Sequence, residues 1–113
     1  MKKIPFNEID DNDEFWCGAK FQKHGTTLNN PNPAEDYYEY MLFLDNGLKD
    51  WMICANIDKW ERGAVVCHVK QTENLGRKTV TAKEFKRSMI LPEEINDWYF
   101  IDDGIRETRI KHK

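Results

Sequence analysis

No run of apolar residues in the chain approaches the ~20 that a helix needs to cross a bilayer. Met1-Lys2-Lys3 leads into Ile4-Pro5-Phe6-Asn7-Glu8 where a signal peptide would carry its apolar core. The expectation is a cytoplasmic protein with no membrane-embedded part. Cysteine is scarce too. Cys17, Cys54 and Cys67 are an odd, widely spaced set, which argues against a disulfide scaffold and for buried thiols acting as small hydrophobes. Short C-x-x-C and H-x-x-x-H spacings are missing and His24, His68 and His112 are scattered, so no metal site is expected. A Gly-rich phosphate loop, a nucleophile elbow and a kinase-type set are likewise missing. A cysteine nucleophile would need a histidine base, yet the adjacent Cys67 and His68 would point to opposite faces of a strand. No catalytic residue and no cofactor is therefore assigned.

What is present is an aromatic-rich, mixed-charge chain. The 113 residues suit one domain spanning 1–113, with 40% hydrophobic residues and fourteen aromatics, four Trp, four Tyr and six Phe. Each aromatic can bury roughly 150–250 Å², so a packed core is within reach. Charged residues make up 33% and the net charge is −3, unevenly spread: residues 1–60 carry eleven Asp/Glu against six Lys/Arg, and residues 61–113 carry nine against eleven. General phosphate binding relies on concentrated positive charge, which the acidic half does not offer.

The local patterns predict an α+β fold: an antiparallel β-sheet of about five or six strands with one or two short helices packed on one face. Residues 15–21 read as a first strand after an acidic opening segment. The Gly25–Pro33 stretch, rich in Asn and Pro, reads as a surface loop. Asn46-Gly47 is the dipeptide preferred in a two-residue type I′ hairpin turn. That turn would place Leu44 opposite Lys49, Leu42 opposite Trp51, Tyr40 opposite Ile53 and Tyr38 opposite Ala55 on one apolar face. Glu39, Met41 and Phe43 would then meet Cys54, Met52 and Asp50 on a mixed face. Residues 63–70 are β-branched enough for an inner strand, residues 72–76 suggest a turn, and 78–80 a short strand. Thr81 and Glu84 have the spacing of a capping box, and Ala82, Phe85 and Met89 give the helix that follows an apolar stripe. Pro92 limits that helix at Leu91. Trp98 to Ile101, with Asp102-Asp103-Gly104, suggests a second hairpin.

Paired carboxylates are numerous, but Glu93-Glu94 fits the first turn of a helix and Asp102-Asp103 fits a loop. Acidic residues beside aromatics suit a basic protein partner, because charge steers encounter while buried aromatic anchors hold it. The candidate partner-binding residues are Asp10, Asp11, Asp13, Glu14, Trp16, Glu35, Asp36, Tyr37, Glu39 and Trp60. The expected function is a small acidic inhibitor or adaptor, most concretely an immunity protein that neutralises a basic toxin such as a nuclease by occlusion. The alternative is a nucleic-acid-binding regulator using Lys83, Lys86, Arg87, Arg106, Arg109, Lys111 and Lys113 beside Trp98, Tyr99 and Phe100. An uncharacterised enzyme ranks third.

Overall fold

The computed structural model of the chain describes residues 2–25, 37–45, 47, 49–57, 63–74 and 77–102. Its opening strand β1 (Lys2–Pro5) runs into a 3-10 turn at Phe6–Glu8. Then come β2 (Glu14–Trp16), β3 (Lys20–His24), β4 (Tyr37–Leu44), β5 (Trp51–Asn56), β6 (Val65–Lys70), β7 (Thr72–Asn74) and β8 (Arg77–Thr81). Helix α1 (Ala82–Met89), a second 3-10 turn at Pro92–Asp97 and β9 (Trp98–Asp102) complete the order. The strands form a six-stranded sheet, β1-β9-β3-β4-β5-β6, and a three-stranded sheet, β2-β8-β7. All pairings are antiparallel. The fold is α+β, as the patterns predict. The loop expected at Gly25–Pro33, beyond Gly25 itself, and the hairpin expected beyond Asp102 lie outside the described residues.

The stretch 15–21 is two strands in different sheets, not one. Gly18 takes φ 91°, a left-handed conformation that favours glycine. Its amide donates to the Leu42 carbonyl at 2.7 Å, and Leu42 N donates to Ala19 O at 3.0 Å. The bend thus hands the chain from the small sheet to the large one.

The β4–β5 register also differs from the two-residue turn. Leu44 lies opposite Met52, Phe43 opposite Ile53, Leu42 opposite Cys54, Met41 opposite Ala55 and Tyr40 opposite Asn56. This is a three-residue shift, and because side chains alternate with period two it exchanges the faces of β5 relative to β4. Two local features explain it. Asp45 Oδ1 accepts from Gly47 N at 2.9 Å, a side-chain-capped turn that competes with type I′, and Gly47 does not adopt the left-handed φ that type I′ demands. Across the sheet, Gln71 N donates to Asp50 O at 2.8 Å and Gln71 Nε2 donates to Lys49 O at 2.7 Å. Those bonds hold the wider loop in place.

The expected inner strand over 63–70 is instead the edge strand β6, and the expected turn at 72–76 begins as β7, with Thr72 paired to Thr79. The helix signals hold. Thr81 Oγ1 accepts from Glu84 N at 3.2 Å, while the Glu84 carboxylate, instead of completing the reciprocal bond, lies 3.9 Å from Arg87 Nη1. Leu91 is extended, with ψ 143°, ahead of Pro92. Thr81→Ala is expected to cost about 1 kcal/mol, the usual worth of an N-cap, and Thr81→Asn to restore most of it. Urea unfolding of the three proteins tests this, and an unchanged midpoint for the Ala variant would show that the cap contributes nothing.

One face of the large sheet packs against α1 and the small sheet. Ile4, Phe21, Tyr40, Leu42, Met52, Cys54, Val69, Trp98 and Phe100 supply this inner face, and Phe6, Phe15, Val80, Ala82 and Phe85 meet them. Phenyl rings dominate the centre. Phe85 stacks on Phe21 with centroids 4.1 Å apart and on Phe6 at 5.3 Å, and Phe15 meets Phe21 edge-on at 5.0 Å. Such pairs add about 0.5–1.5 kcal/mol each beyond the area they bury.

Candidate functional site

The acidic N-terminal residues are drawn into docking the helix. The backbone carbonyls of Asp13 and Asp11 accept from Ala82 N at 2.7 Å and Lys83 N at 3.0 Å, two of the amides that a helix start leaves open. Asp13 is 5% exposed, and its Oδ2 accepts from Asp10 N at 3.1 Å. Asp10 Oδ1 accepts from Asn12 N at 2.9 Å. Lys86 Nζ donates to Asp11 Oδ1 at 2.8 Å and to Ile9 O at 3.1 Å. This negative loop also complements the positive end of the α1 dipole. Glu14 and Trp16, both half-buried, lie on β2 opposite Thr81 and Thr79. Glu35, Asp36 and Trp60 lie outside the described residues.

Tyr37 and Glu39 stand elsewhere, on the outer face of the large sheet. There Glu39 Oε1 accepts from Gln22 Nε2 at 3.0 Å, and Gln22 Oε1 faces His24 Nε2 at 3.1 Å. The Glu39 contact fixes the Gln22 amide, so its oxygen needs a donor and His24 carries a proton on Nε2. Lys3 Nζ, 3.5 Å from the same nitrogen, is then a neighbour and not its hydrogen-bond donor. The His24 ring sits between Tyr37, with centroids 5.4 Å apart, and Tyr99 at 5.0 Å. Lys3 Nζ lies 5.5 Å from the Tyr37 centroid. Gln22 is only 4% exposed, so its amide lies covered between Glu39 and His24. The ten expected site residues are thus divided between the α1-docking loop, β2 and the outer sheet face, with three outside the description.

The same outer face turns apolar toward the edge strand. Met41, Ala55 and Val65 form one cross-strand row and Phe43, Ile53 and His68 the next, with Trp51 beside Lys70. Phe43 is 38% exposed, Trp51 40%, Val66 51% and Val65 53%. A β-bulge interrupts the β5–β6 pairing between Cys54 and Ala55. Phe43, Ile53 and Val65, with Asn56, Ile57 and Gly63, line an open hollow of about 380 Å³. The Asp45 carboxylate approaches His68 Nε2 at 3.9 Å.

Periodicity within β3 carried a signal for the polar row: once Phe21 is placed inward, Gln22 and His24 must face the other way. Sequence reasoning missed Trp51 and Ile53 because the two-residue turn assigns them to the core, and Val65 because the run over 63–70 reads as an inner strand although β6 lies at the sheet edge. The stacking platform expected for nucleic acid is not assembled, since Trp98 and Phe100 are buried on the inner face and only Tyr99 reaches the outer one. Burial pushes the Cys67 thiol up to about 11 and raises Cys54 further, and Cys67 points toward Met89, away from the His68 face. Among the described residues no group of three or more His, Cys, Asp or Glu side chains could hold a metal ion, and no helix is long and apolar enough to cross a membrane. No protein-family model, curated protein or solved structure matches the chain.

Proposed function

We propose that the chain is a protein-binding inhibitor or adaptor that works by occlusion, and that it docks through the apolar end of its outer sheet face. One observation carries this reading: Phe43 and Val65 are exposed at an open hollow, with Trp51 and Val66 exposed on the same two strands, β5 and β6, that help to form it. Contiguous apolar surface of this kind marks interaction sites, and aromatic side chains seated near pockets tend to supply most of the binding energy. The hydrogen-bonded polar row of Glu39, Gln22 and His24, with Tyr37 beside it, continues along the same face and offers directional contacts at the rim. The net charge of −3 favours encounter with a basic partner, and neutralisation of a basic toxin such as a nuclease is the most concrete version.

The test is co-expression with the product of the adjacent gene, followed by affinity measurement on purified protein. Trp51→Asp and Phe43→Asp are expected to weaken the complex by at least about thirtyfold, the threshold of an interface hot spot. Both side chains stand partly out of the outer face, 40% and 38% exposed, and circular dichroism checks that folding is retained. Asp11→Asn should have little effect on affinity. A complex that survives both aromatic substitutions, or a failure to capture any protein partner, would sink the reading.

A further inference from the structure

The core-facing stripe of α1 leaves a second stripe outside. Lys83, Lys86 and Arg87 lie at i, i+3 and i+4 of α1, so they share one helix face, and Ile90 follows as the extended residue that caps the helix. With Asp11 from the acidic loop and with Pro92 and Ile95 from the following turn, they line an open hollow of about 610 Å³. That is within the roughly 300–1,000 Å³ typical of small-ligand sites. The hollow lies on α1 and the turn after it, whereas the outer sheet face is built from β3 to β6, so it is independent of the protein-docking surface.

Its two chemical halves are distinct. Three cations stand against one carboxylate in the lining, a positive excess in a chain whose net charge is −3. Lys86 is held in the wall by Asp11 and the Ile9 carbonyl. Lys83, by contrast, makes no ion pair among the described residues, and Arg87 reaches only as near as 3.9 Å to Glu84 with its side chain 77% exposed. Two cations four residues apart are therefore available to one anionic head. Ile90, Pro92 and Ile95 form an apolar wall beside them.

We propose that this hollow is a binding site for a small anionic amphiphile, a molecule with a phosphate or carboxylate head and a short apolar tail. The head lies between Lys83 and Arg87, where the guanidinium can bond two oxygens at once. The tail lies along Ile90, Pro92 and Ile95, where it leaves water.

Titration of isotope-labelled protein with inorganic phosphate, ethyl phosphate and hexyl phosphate, followed by amide NMR, tests the site. Saturable shifts are expected at Lys83, Arg87, Ile90 and Ile95. Each methylene fully buried adds up to about fourfold in affinity, so hexyl phosphate should bind at least about tenfold more tightly than ethyl phosphate. The double variant K83E/R87E, changed at exposed positions, should lose at least about tenfold, and added salt should weaken the wild-type complex. The tail-length series needs no variant. Failure to saturate with hexyl phosphate, equal affinity for all three probes, or unchanged shifts in K83E/R87E would each overturn the proposal. So would perturbation of these amides by anionic vesicles without any response to soluble hexyl phosphate, which would assign the face to a membrane surface.

Discussion

Phe85→Ala is expected to cost about 3–5 kcal/mol, the range for truncating a buried phenylalanine, and so to remove a large part of the ~5–15 kcal/mol that holds a typical domain folded. The reason is position. Phe85 has no exposed surface and touches every layer: Phe21 on β3 at 4.1 Å, Phe6 in the first 3-10 turn at 5.3 Å, Phe15 on β2 at 5.9 Å and Trp98 on β9 at 5.9 Å. Those neighbours lie on separate segments, three of them on strands fixed by their own pairings, so the cavity cannot collapse cheaply. Phe85→Leu, which keeps most of the volume, should cost much less. Equilibrium urea unfolding with an unchanged m-value measures both. If Phe85→Ala falls below about 1 kcal/mol, the level of an average substitution, the ring is not the junction between the layers.

The helix carrying Phe85 was legible in the residues because every signal for it is local. Thr81 and Glu84 start it, Ala82, Phe85 and Met89 face it inward, and Pro92 ends it, all within twelve positions. The strand over Trp98 to Ile101 was legible for the same reason, although its continuation to Asp102 and its place between β1 and β3 were not. The β4–β5 hairpin shows where local reading stops. Asn46-Gly47 favours a two-residue turn, but the winning contacts come from Asp45 and from Gln71, the latter more than twenty positions away from Lys49. The edge position of β6 is equally non-local: a run of valines looks the same whether a further strand pairs beyond it or not.

The consequences for the candidate surface follow from that single shift. With the observed register, Met52 and Cys54 enter the core and Trp51 and Ile53 leave it. Glu39, Met41 and Phe43 keep company on the outer face as expected, but their cross-strand neighbours become Ile57, Ala55 and Ile53, and apolar surface accumulates there. Tyr37 and Glu39 could be singled out from residue type alone. Trp51 could not, because its exposure depends on the parity of a loop closed by residues in another strand.

The same register sets the chemistry of two thiols. Cys54 lies opposite Cys67 across β5 and β6, and the Cys67 thiol donates toward Met89 Sδ at 2.9 Å. Burial raises both thiols from an ordinary 9.0, Cys67 to about 11 and Cys54 further, with Cys67 adding a smaller push on Cys54 in the same direction. In the unfolded chain both lose protons around pH 9, while in the folded protein they keep them. Between about pH 9 and 11 the unfolded state therefore binds fewer protons, and stability must fall as pH rises. Below about pH 8 both states hold these protons, so the two thiols impose no slope. The urea midpoint of the native protein should drop faster across that alkaline window than that of the Cys54→Ala/Cys67→Ala variant. Alkylation supplies the larger effect. At pH 8 a thiol shifted from 9.0 to about 11 has roughly a hundredfold less reactive thiolate, so iodoacetamide should modify Cys67 about that much more slowly in the fold than in urea, and Cys54 more slowly still. Modification of Cys54 at the unfolded rate in native buffer would mean that β5 does not present it to the core, and with it the outward placement of Trp51 would fall.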